Sequence, residues 1–156
     1  KRTQGEWTGT STDGLGFVAA CRHIGIEPDG SVLRMRGGGS AARAIAAAWA
    51  EAGGLITPEQ GRRALVSGPW DGALVADGRA DLGIDLDAAP AGGQSTPLDA
   101  EMQVSISYGY RAGTDEFAVI MVAAQHLEAW KAIFAPERAA DLPSLSLVLD
   151  GLAESA

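Results

Sequence analysis

The sequence predicts an α/β domain: an open, mainly parallel sheet with helices on both faces, formed by residues 1–156 as a single unit. Three observations carry that reading. Short apolar runs of strand length alternate with longer runs of helical composition. A triple glycine, Gly37-Gly38-Gly39, stands between one such strand and one such helix. Hydrophobic residues make up 46% of the chain, which supports a real core and excludes disorder.

Residues 1–10 read as a strand end and a turn, with Trp7 between Gly5 and Gly9. Ser11-Thr12-Asp13 offers capping chemistry for a helix that runs to His23 or Ile24, and Gly25 suits its C′ position. Pro28-Asp29-Gly30 is a turn. A strand over Val32–Arg36 enters the glycines, and an alanine-rich helix from Ser40 to Ala52 leaves them, stopped by Gly53-Gly54. Only Leu55-Ile56 is apolar before Thr57-Pro58-Glu59-Gln60, which has the form of a capping box with proline at N1. The expectation is therefore a stub of a second strand and a new helix at Thr57. Asp77-Gly78 is a turn, Ala80–Leu86 a buried strand, and residues 88–95 a small-residue loop. Val104–Tyr108 alternates as a strand. A long apolar helix is expected over about 115–134, a short turn or helix between Pro136 and Pro143, and a last amphipathic helix over 144–153.

The glycine loop carries the most specific chemistry. Gly37, Gly39 and Ala42 fall on the G-x-G-x-x-G/A spacing of a dinucleotide loop, so the fold is Rossmann-like. Gly37 permits the turn out of the strand, Gly39 lets a pyrophosphate approach the backbone, and Ala42 lets helix and strand pack closely. The helix N-terminus would hold the anion. A plain turn between strand and helix is the competing reading. Arg34 and Arg36 are unusual in a buried parallel strand, and the acidic residue expected about 20 positions on is not evident.

Composition narrows the partners. A net charge of −8 argues against nucleic acid and against an anionic membrane surface. One cysteine, Cys21, excludes an intrachain disulfide and fits the cytoplasm, where it would be an inert packing residue. No apolar run is read as reaching membrane-spanning length, and the first residues do not form a signal peptide. The chain opens on Lys1 rather than methionine, which suggests a fragment or a processed product. Asp81, Asp85 and Asp87 lie on one strand-like spacing, but no histidine or further ligand joins them. A solvated strand end is preferred, and no metal is expected. His23 and His126 read as packing or surface residues, and Trp7 and Trp49 as core or interface.

The segment Thr8-Gly9-Thr10-Ser11-Thr12-Asp13-Gly14-Leu15-Gly16-Phe17 resembles shikimate dehydrogenases, which carry G-x-N-T-D-x-x-G-F there. Their glycine loop, G-A-G-G-A-A-R, is matched by Gly37-Gly38-Gly39-Ser40-Ala41-Ala42-Arg43. Tyr108 stands where the family has a substrate-contacting tyrosine, and Met121-Val122-Ala123-Ala124-Gln125 resembles its substrate-binding helix motif. The resemblance implies an NAD(P)-dependent interconversion of 3-dehydroshikimate and shikimate, in aromatic amino acid biosynthesis. It implies that Asp13 is half of a catalytic Lys–Asp dyad and that Tyr108 and Gln125 bind substrate. It assigns Gly37, Gly38, Gly39, Ser40, Ala41 and Met121 to the cofactor, NADP or NAD. A small-molecule substrate is the expected partner, with no nucleic acid and no membrane, and a homodimer is left open.

The departures shape the expectations. The family's lysine lies in an N-terminal substrate domain absent from this chain, and the asparagine before T-D is Ser11. The N-R-T motif aligns with Leu55-Ile56-Thr57, which removes the arginine for a ribose phosphate. N-A-T-P-x-G is replaced by Asp85-Leu86-Asp87-Ala88, and Ser105 and Ala118 replace an aspartate and a glycine. Cofactor binding should therefore be weak, with little preference for NADP, and the isolated chain should be inactive. The alternative is a non-enzymatic relative that kept the fold, lost cofactor chemistry and serves as a binding or assembly module.

Overall fold

A computed structural model describes residues 2–3, 6–7, 11–76, 78–87, 96–106, 116–134 and 136–154. The element order is β1 (Arg2–Thr3), β2 (Glu6–Trp7), α1 (Thr12–His23), β3 (Val32–Arg36), α2 (Ser40–Glu51), β4 (Leu55–Glu59), β5 (Ala80–Asp85), β6 (Ala100–Val104), α3 (Glu116–Ala129) and α4 (Leu145–Glu154). β1 and β2 form a small antiparallel pair. The other four strands make one sheet in the order β4-β3-β5-β6, parallel throughout. Leu74 adds a single parallel bridge outside β4, opposite Ile56. This is the open parallel sheet that the alternating sequence predicts; among the described residues, α1, α2 and α3 pack on one of its faces and irregular chain crosses the other at Gly78 and Thr96.

α1 begins where the sequence places it. Ser11 is the extended N-cap, Asp13 lies in the first turn and Arg22 in the last, where both charges suit the helix dipole. Gly25, at φ 87°, ends it. α1 lies between α2 and α3, and two of its glycines make that approach close. A Cβ at Gly14 would stand 2.1 Å from the Ala44 carbonyl oxygen, and one at Gly16 would stand 2.4 Å from Gln125 Cγ. Phe17 ties the three helices together, edge-on to Phe117 at 5.8 Å and tilted against Trp49 at 6.0 Å. Trp49 is fully buried and donates from Nε1 to the Leu55 carbonyl at 3.0 Å.

The register puts Leu33, Met35, Ile56, Leu82 and Ile84 on the same sheet face, where they join these helices in one core. Arg34, Thr57 and Gly83 take the other face, followed by Arg36, Glu59 and Asp85. Arg34 Nη1 pairs with Glu59 at 2.7 Å, and Nη2 donates to the Gly78 carbonyl at 2.7 Å. Arg36 pairs with Asp85 at 2.7 Å and donates to the Thr96 carbonyl at 2.9 Å. The arginines that look out of place in the sequence thus cross-link three strands and the chain that passes over them.

Three expectations are corrected. The second strand is no stub: β4 runs the length of β3, from Val32↔Leu55 to Arg36↔Glu59, and no helix starts at Thr57. Pairing with β3 outweighs the local capping signal, and Pro58 sits on an edge strand, where a missing N–H is tolerated. Among the described residues, none between Glu51 and Glu116 is α-helical. The fourth strand lies at Ala100–Val104 rather than Val104–Tyr108, whose last two residues fall outside the described ones. One run, Glu116–Phe134, is long and apolar enough to cross a membrane by length and composition. In this fold, Phe117, Ile120, Met121, Ala124 and Leu127 on α3 are buried inside the domain. α3 then loosens into a π-helical turn, Trp130–Phe134, at its C-terminal end.

Candidate cofactor cleft and acid–base pair

The glycine loop has the geometry its spacing asks for. Gly37 leaves β3 at φ 113°, a left-handed conformation that disfavours other residues. Gly39 is the N-cap of α2. Among the described residues, a Cβ placed there would meet one atom within 4 Å, Arg63 Nη1 at 3.9 Å, so these leave the Gly39 backbone open to an approaching group. No acidic side chain lies in the first turn of α2, and among the described residues no side chain caps it. The helix-start amides around Ser40 and Ala41 are therefore available to an anion. Arg43 steadies the loop by donating from Nε to the Gly38 carbonyl at 3.1 Å. Gly38 lies under the chain's own backbone, where a Cβ would stand 2.0 Å from the Ala64 carbonyl oxygen.

Beside the loop opens a cleft of about 330 Å³, lined by Gly39, Arg62, Arg63, Leu86 and Asp87. Strand β4 ends at Glu59, so Gln60–Arg63 form its tip and both arginines reach the cleft. This corrects the alignment that put Leu55-Ile56-Thr57 at the tip and found no arginine there. Arg62 and Arg63 stand at the tip because β4 runs three residues beyond Ile56, where the sequence predicts only a stub. Glu59 occupies the place of the acidic residue sought after the glycine loop, but its carboxylate is bound to Arg34.

The three aspartates near β5 have separate tasks. Asp81 accepts from the Val32 amide at 2.7 Å, and Asp85 pairs with Arg36. Asp87 accepts from the Arg62 amide and lies 4.0 Å from Arg62 Nη2. Among the described residues, no three potential ligands gather around a metal position.

Asp13 and Gln125 come together although 112 positions apart. Gln125 Nε2 donates to Asp13 Oδ1 at 3.3 Å across the α1–α3 seam, with Gly16 making room for the Gln125 chain. Gly14, next to Asp13, abuts Ala44, about one turn into α2. The acid–amide pair and the glycine loop therefore adjoin the same helix. Met121 is 1% exposed in the core. Tyr108 lies outside the described residues. His126 Nδ1 stands 2.7 Å from the Val122 carbonyl oxygen of its own helix, and His23 is exposed in the last turn of α1. Burial pushes the Cys21 thiol up to about 12, which keeps it protonated at neutral pH and fits a packing role.

No protein-family model matches the chain. Shikimate dehydrogenase (NADP(+)) of Rubrobacter xylanophilus is 49% identical to it over 49 residues, 31% of this chain and 17% of that enzyme. Shikimate dehydrogenase 1 of Peptoclostridium difficile superposes with a TM-score of 0.55 over 98% of this chain and 65% of its own, at 15% identity. The shikimate dehydrogenase resemblance holds in sequence and in fold. The ligand-free 5-ketofructose reductase of Gluconobacter sp. strain CHM43 shares the fold as well, with a TM-score of 0.54 over 83% of this chain and 59% of its own, at 20% identity. The chain thus has the Rossmann-like fold of these relatives, and it spans less than two thirds of the length of each.

Proposed function

We propose that this domain binds a nicotinamide dinucleotide at Gly37-Gly38-Gly39-Ser40-Ala41 and forms the nucleotide-binding half of a shikimate dehydrogenase-like enzyme. That enzyme would interconvert 3-dehydroshikimate and shikimate in the cytoplasm. The observation that carries this reading is the open Gly39 backbone at an uncapped helix start, next to a cleft with two guanidinium groups. Those residues fit a dinucleotide: the α2 amides would take the pyrophosphate, and Arg62 and Arg63 would face the adenosine side. When bound, the cofactor supplies the hydride acceptor or donor. Asp13 would hold and orient the proton-transfer partner on the substrate hydroxyl, and Gln125 would fix both Asp13 and the substrate. The partner lysine is not among the described residues. Of the two lysines in the sequence, Lys131 is paired with Glu128 and Lys1 lies outside that set. The isolated chain should bind cofactor without oxidising shikimate.

A second reading, a non-enzymatic binding or assembly module, is favoured by one feature, the Asp87 carboxylate at the cleft. Calorimetric titration with NAD and NADP separates the two. The dehydrogenase reading expects measurable heat with at least one cofactor and its loss in Gly39→Val, whose branched side chain fills the approach. Absence of binding by the parent chain at millimolar cofactor overturns it in favour of the module.

A further inference from the structure

Asp87 is placed in the cleft by the backbone around it. Two glycines make room for the carboxylate: a Cβ at Gly61 would stand 2.3 Å from Oδ2, and one at Gly37 would stand 3.4 Å from Oδ1. Its own amide donates to Asp85 at 2.9 Å, and its carboxylate accepts from the Arg62 amide. The side chain is only 10% exposed. The residue thus holds the Gly61–Arg62 turn in place and keeps a negative charge beside the Arg62 guanidinium, 4.0 Å away. Arg63 leans instead toward Gly39 and the start of α2.

The acid that a dinucleotide domain ordinarily offers to a ribose is, by position, Glu59 at the tip of β4, and it is committed to Arg34. Asp87, from the tip of β5, is the carboxylate that lines the cleft. We propose that Asp87 takes over that role and selects NAD against NADP, by accepting from ribose hydroxyls and by occupying Arg62. This inference rests on the cofactor-binding reading above. An ionised carboxylate only accepts hydrogen bonds, so it welcomes a hydroxyl and gives a phosphate nothing to bind. A phosphate at that hydroxyl adds up to two negative charges beside it, in a place where water screens poorly. Selection therefore has an attractive and a repulsive part.

The test is calorimetric titration of NAD and NADP into the parent chain, Asp87→Asn, Arg62→Ala and the double variant. The parent should prefer NAD. Asp87→Asn should raise NADP affinity about tenfold and change NAD affinity by no more than about threefold. Arg62→Ala on the Asp87→Asn background should erase that gain, because the released guanidinium is what takes the phosphate, whereas Arg62→Ala alone should change NADP affinity little. A purely structural role for Asp87 would move both cofactors together. An unchanged NADP-to-NAD ratio in Asp87→Asn, or a gain that survives in the double variant, overturns the inference while cofactor binding stands. No binding of either cofactor by any variant overturns both.

Discussion

The two faces of the sheet follow different rules although the same strands build them. On one face Leu33, Met35, Ile56, Leu82 and Ile84 are fully buried under α1, α2 and α3. On the other, alternate residues of the same strands are Arg34, Arg36, Thr57, Glu59 and Asp85, with Gly83 packed against Leu98 and Ala100. A parallel strand covered by helices on both sides reads as a continuous apolar run. These strands alternate because irregular chain, rather than α-helix, crosses their second face at Gly78 and Thr96, and irregular chain offers carbonyls. An arginine there finds both a carboxylate and a backbone acceptor. The comparison shows that the charges on this face are matched by partners, while the other face relies on area and shape.

The sharpest way to break the comparison is to damage the apolar face. Leu82→Ala removes fully buried methyl groups beside Leu33 in the core and should cost about 2–5 kcal/mol, read as a fall in the denaturant midpoint. The polar face should respond through pairing. Arg34→Met leaves Glu59 without its guanidinium partner; since Glu59 is one-third exposed, the cost should be about 1–3 kcal/mol. Adding Glu59→Met should restore most of it, and a double variant as unstable as the single one would show that the pair itself stabilises the sheet. The smallest effect is expected at Thr57, whose hydroxyl is buried with no hydrogen-bond partner among the described residues. Thr57→Val should stabilise by about 1 kcal/mol, and a loss of that size in thermal unfolding would mean the hydroxyl is satisfied after all.

The same contrast explains what could be read in advance. α1, the glycine loop and α2 were legible within a residue or two, because their signals are local: Gly25, Gly37 and Gly53 at positive φ, and charges matched to the ends of α1. β4 was misread because Thr57-Pro58-Glu59-Gln60 carries a strong local helix signal, whereas its pairing partner, β3, lies more than twenty positions away. The same local signal assigns Glu59 to a helix, and the place of Arg62 and Arg63 at a strand tip is seen only once β4 is paired.

By itself the sequence determined the α/β class, the order strand–glycine loop–helix and the family resemblance, since periodicity, capping and glycine placement act over a few residues. Only the tertiary structure decided that β4 is a full strand, that Asp13 meets Gln125 across a helix seam, that Glu59 is committed to Arg34, and that Asp87 lines the cleft beside Arg62. The physical reason is common to all four. Each depends on a partner distant in the chain, and cross-strand pairing and charge compensation act on where residues meet rather than on their order.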